Sequence, residues 1–102
     1  MIHIKPDVFF HHDMFRSPDM CRLIWQAQLL APDGYDVMIT SGADGTHKEN
    51  SKHYKGRAVD FRINNFPTGA SVKTWANRLQ KRLGDEFFVL IESNHLHVQF
   101  NG

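Results

Sequence analysis

The stretch Phe87-Phe-Val-Leu-Ile91-Glu92-Ser-Asn-His95-Leu-His97-Val98-Gln-Phe100 holds two short apolar and aromatic segments, Phe87 to Ile91 and Leu96 to Phe100, separated by a polar turn. Both segments have the composition of strands, and Ser93-Asn94 suggests a tight hairpin between them. Strands this close in sequence pair antiparallel, because parallel neighbours need a crossover of about a dozen residues or more. Alternation then puts His95 and His97 on one face and sends Leu96, Val98 and Phe100 to the other, towards a core.

Upstream, Ala58 to Ile63 reads as a strand with Val59, Phe61 and Ile63 on its core side and Asp60 and Arg62 opposite. A carboxylate in mid-strand is costly to bury unless it is paired or bound to a cation. Arg57 and Arg62 are candidate ion-pair partners; a metal ion is the alternative.

Between these strands a helix is expected from about Ala70 to Leu83. Val72, Trp75, Ala76, Leu79 and Leu83 share one face, and Gly84 ends it. Ser17-Pro18-Asp19 starts another helix with a capping hydroxyl, a proline in the first turn and an acid at the positive dipole end. Met20, Leu23, Ile24, Ala27 and Leu30 form its buried stripe, and Ala31-Pro32-Asp33-Gly34 stops it. Cys21, the lone cysteine, is expected to pack among apolar neighbours; it cannot form an internal disulfide. Val37 to Thr40 reads as a short buried strand, and residues 41–57 as a long polar loop. Residues 1–16 are apolar-rich but broken by Pro6 and His11-His12-Asp13, which suits a short strand or a packed arm.

The expected fold class is α+β: a small antiparallel sheet with two main helices packed on one face and Asp60, His95 and His97 on the other. With 102 residues, one domain over 1–102 is expected, and a 41% hydrophobic content with eight Phe argues for a folded core. A net charge of +1 excludes a general nucleic-acid binder. Lys48, Lys52, Lys55 and Arg57 form a local basic cluster, either a solvated loop or an attractor of anionic groups. No apolar run is long enough to span a membrane, and the first residues lack a signal peptide's pattern. A chain that is cytoplasmic on synthesis, monomeric and without a membrane partner is expected.

Two or three imidazoles and one carboxylate suit a catalytic zinc ion, which takes three protein ligands at about 2.0–2.2 Å and leaves a fourth position to water. Calcium would want more oxygens, whereas iron(II) competes on ligand type. His3, His11 and His12 are expected to be exposed or packed rather than to form a second site.

The pattern Ser51-x-His53-x-x-Gly56-x-Ala58-x-Asp60 resembles the signature of the zinc D-alanyl-D-alanine peptidases. These belong to a wider group with lysostaphin-type endopeptidases and the hedgehog signalling domain. Its second signature, His-x-His or Glu-x-x-His on a late strand, is matched in either register by Glu92-Ser-Asn-His95-Leu-His97. The segment Ile39 to His47 is also similar to the one preceding the first motif in small, phage-type members.

The resemblance covers about residues 37–100. It implies the metal ligands His53, Asp60 and a late histidine. In the first register the ligand is His97, with His95 beside the metal as base or donor; in the second it is His95, with Glu92 as base. Ser51 would help hold substrate. Family members often carry an arginine soon after the Ser-Gly pair, where this chain has Ala43-Asp44; His47, Lys48 or Arg62 are candidate substitutes.

The implied activity is hydrolysis of amide bonds in the peptide part of bacterial peptidoglycan by a carboxypeptidase or endopeptidase, in a phage or prophage lysis context. The alternative is a non-catalytic module with a structural zinc, its shell closed by a fourth ligand such as His47 or His95.

Overall fold

Two serines begin the two long helices. The Ser17 hydroxyl accepts from the Met20 amide at 3.3 Å and the Ser71 hydroxyl from the Thr74 amide at 3.2 Å, satisfying donors that a helix start leaves without partners. The computed structural model describes residues 2–4, 17–41 and 57–102. In chain order the elements are β1 (Ile2–Ile4), α1 (Pro18–Leu29), β2 (Val37–Ser41), β3 (Ala58–Arg62), α2 (Val72–Leu83), β4 (Phe87–Ile91) and β5 (His95–Phe100). Gly84 ends α2 at φ 94°, a conformation that strains residues bearing a Cβ.

The strands form one sheet in the order β1-β2-β3-β5-β4. β2/β3, β3/β5 and β5/β4 are antiparallel. β1 pairs with β2 in parallel, so the sheet is mixed rather than wholly antiparallel. The reason is connectivity: α1 lies between β1 and β2 and supplies the crossover that parallel neighbours require. The fold is α+β, as the sequence implies.

Both helices cover one face of the sheet. Met20, Leu23 and Ala27 of α1 and Trp75, Ala76, Leu79 and Leu83 of α2 share a core with Val37, Ile39, Val59, Phe61, Leu96 and Val98. Trp75 stands at its centre, edge-on to Phe61 and Tyr35, and its indole N–H donates to the Ala27 carbonyl at 3.2 Å. That bond satisfies the one polar atom the ring buries. The Arg22 guanidinium donates to the carbonyls of Arg82 and Leu83 at 2.7 and 3.2 Å, placing a cation at the negative end of α2.

Gln80 joins α2 to β4 by donating to the carbonyls of Gly84 and Phe87 and accepting from the Val89 amide. The Tyr35 hydroxyl donates to the Arg62 carbonyl at 2.5 Å, and burial pushes its phenol well above the ordinary range.

One expectation fails in α1. Cys21 is exposed rather than buried. The buried stripe runs through Met20, Leu23 and Ala27, and position 21 lies about 100° around the helix from Met20.

Candidate metal centre

β3 and β5 are adjacent at the middle of the sheet, and their register is Asp60 opposite His97 and Arg62 opposite His95. Alternation carries all four to the face away from the helices. Val59 and Phe61 of the same strand go to the core, as strand parity predicts. Asp60 is the one buried charged residue among those described, at 7% exposure.

The His97 Nδ1 lies 2.9 Å from Asp60 Oδ1, and the His95 Nε2 lies 3.8 Å from Asp60 Oδ2. The His97 side chain is the more enclosed of the two, at 16% against 30%. Arg57 and Arg62 do not pair with Asp60; the Arg57 guanidinium donates to the Gly102 carbonyl.

The other ring nitrogen of each histidine meets an amide oxygen. His97 Nε2 is 2.7 Å from Gln99 Oε1, and Gln99 presents that oxygen because its Nε2 donates to Asn101 Oδ1 at 2.7 Å. His95 Nδ1 is 2.7 Å from Asn94 Oδ1. In this orientation each amide oxygen accepts from the ring nitrogen it faces. His97 Nδ1 and His95 Nε2 are the ring nitrogens nearest the Asp60 carboxylate.

The Asp60 carboxylate 2.9 Å from His97 Nδ1 favours a cation at this position. A proton on His97 is one such cation. Burial pulls the His97 pKa down, but hydrogen bonds with Asp60 and Gln99 and the negative charges of Asp60 and Glu92 outweigh it, so the net direction is up. A metal ion is the other. Bonds of about 2.0–2.1 Å in a tetrahedral shell place donor atoms about 3.3 Å apart, and the observed 2.9 and 3.8 Å bracket that spacing. Metal-bound histidines also commonly donate their second N–H to a nearby oxygen, the part Gln99 and Asn94 take here. The donors are therefore of the kind zinc takes, while among the described residues no group of three or more His, Cys, Asp or Glu converges as a complete metal site.

Of the residues singled out from sequence, the structure brings together Asp60, His95 and His97. His53 and Ser51 lie outside the described residues, as do His11, His12, His47, Lys48, Lys52 and Lys55. Glu92 sits exposed at the start of the β4–β5 turn, where its amide donates to the His95 carbonyl at 2.8 Å. Arg62 shares the site's face by register, with its carbonyl held by Tyr35. His3 is exposed and lies 4.0 Å from Asp36. Gln99 carries no motif signal, but its parity with His97 places it on this face and could have identified it.

Comparison with protein-family models, with curated proteins and with solved structures gives no match.

Proposed function

We propose that this chain is a zinc-dependent peptidase that hydrolyses amide bonds in the peptide part of peptidoglycan. The observation that carries the proposal is the convergence of two imidazole rings on one buried carboxylate, each with its second nitrogen against a side-chain amide. The sequence resemblance supplies the substrate class. His53, Asp60 and His97 are the proposed ligands.

When bound, zinc supplies Lewis-acid polarisation of a carbonyl and lowers the pKa of a water molecule. The remaining roles belong to side chains. His95, with its Nδ1–H committed to Asn94, offers Nε2 towards the site's face. There it accepts the proton released as water adds to the scissile carbonyl and returns that proton to the departing amine. Glu92 is the alternative base, and Ser51 and Arg62 are the proposed substrate contacts. His97 fits the ligand role better than His95 because it is closer to Asp60 and more enclosed.

The test combines metal analysis with mass spectrometry of muropeptides after digestion. The expected result is about one zinc per chain, cleavage of wall peptides, and loss of cleavage with retained zinc in His95→Gln. Zinc binding without cleavage supports the structural module instead. The raised His97 pKa favours one further reading, a metal-free His97–Asp60 ion pair. Failure of the protein to take up zinc at neutral pH would establish that reading and end the peptidase proposal.

A further inference from the structure

The outer side of the helical layer, away from Asp60 and the histidines, carries a surface of different chemistry. α2 has Lys73, Arg78, Lys81 and Arg82 and no acidic residue. Arg78, Lys81 and Arg82, with Leu30, line a cleft of about 520 Å³. A second cleft of about 420 Å³ shares Leu30 and Arg78 and continues past Leu29, Pro32 and Trp75. Among the described residues none of these three cations has a carboxylate partner. On α1, one turn apart, Trp25 and Leu29 are 60% and 54% exposed, and Leu29 forms a wall of the second cleft. The cations are hydrated on this surface, whereas the exposed indole and leucine leave apolar area in water.

We propose that this surface docks on an anionic phospholipid bilayer. Charge complementarity selects a negatively charged partner, because Arg78, Lys81 and Arg82 meet no acid among the described residues. The exposed indole and leucine select a bilayer over a dissolved polyanion. An interfacial tryptophan and a neighbouring leucine enter the headgroup and acyl boundary while the basic side chains remain among the phosphates. A polyanion in water leaves both apolar side chains hydrated.

Among the described residues no helix is long and apolar enough to cross a membrane, and a docking face needs none. The expectation of no membrane partner rested on spanning alone. Because the helices cover one face of the sheet and Asp60 lies on the other, docking turns the candidate metal centre away from the lipid.

The experiment uses the full chain with two kinds of vesicle, phosphatidylcholine alone and phosphatidylcholine mixed with phosphatidylglycerol, some carrying brominated acyl chains. Trp25 is exposed and Trp75 is 2% exposed, so bromine quenching of the intrinsic fluorescence reports on Trp25. The expected result is sedimentation with the anionic vesicles only, weakened by salt, with quenching that Trp25→Phe removes.

The double variant Arg78→Gln, Lys81→Gln removes two exposed cations that make no described hydrogen bond. Its melting temperature should match the parent's, and its vesicle binding should fall about tenfold or more. Absence of binding at low salt, or equal binding by the double variant, overturns the proposal. Binding to soluble polyphosphate or DNA without bromine quenching also overturns it, and identifies a polyanion site instead.

Discussion

His97 answers to two cations that exclude each other. Without metal, its pKa is raised, with the Asp60 and Gln99 hydrogen bonds outweighing burial. The stabilisation this gives is complete below the unfolded imidazole value of about 6.5 and is lost as pH rises through the higher folded value. Metal-free protein should therefore lose melting temperature as pH rises above about 6.5, and His97→Gln should flatten that slope. Zinc affinity should change in the opposite direction, rising with pH as the competing proton leaves. Asp60→Asn keeps the shape but removes the charge. It should destabilise the metal-free protein by about 1–3 kcal/mol in urea unfolding at pH about 6, and it should abolish tight zinc uptake. At this scale the site was only partly legible. Spacing and strand parity place Asp60, His95 and His97 together, but only the structure shows that Gln99 and Asn94 lie against the second nitrogen of each ring. Strand parity also could not show that Asp60 is buried on the side away from the helices.

Elements with local signals were read closely, and those that depend on distant partners were not. Ser17-Pro18 and Gly84 mark helix ends through chemistry contained in a few residues, and the observed ends agree. The Ser93-Asn94 turn is likewise local. It closes with no positive φ, so it is not the primed type that such a short hairpin favours. β1 had no comparable signal: three residues become a strand only because β2 offers a parallel edge. Cys21 was misplaced because apolar neighbours in sequence are not neighbours around a helix. Gln80 is a polar residue whose importance also depends on partners, since it holds α2 to β4 through three hydrogen bonds. Gln80→Ala should lower stability by about 1–3 kcal/mol, read from urea unfolding. It should also speed hydrogen exchange at the Val89 amide, which loses its acceptor.

For the whole molecule, metal and fold should be thermodynamically linked. Asp60 and His97 come from separate parts of the chain and meet only when β3 and β5 pair, so zinc should bind the native state far better than the unfolded one. At free zinc about 100 times the dissociation constant, linkage adds about 2.7 kcal/mol. For a domain of this size that corresponds to a rise in melting temperature of about 10–20 °C, measurable by calorimetry with and without chelator. Magnesium at the same concentration should give little shift, because it favours oxygen ligands and keeps its waters. The pairing of Asp60 opposite His97 also bears on how such a centre could ever open. Lids and hinged loops come apart while the rest of a protein stays intact. Here the two side chains belong to neighbouring strands in the interior of the sheet, and separating them means tearing the β3–β5 ladder along its length. Under the proposed function, substrate would come to a rigid floor, and that floor lasts as long as the native state does.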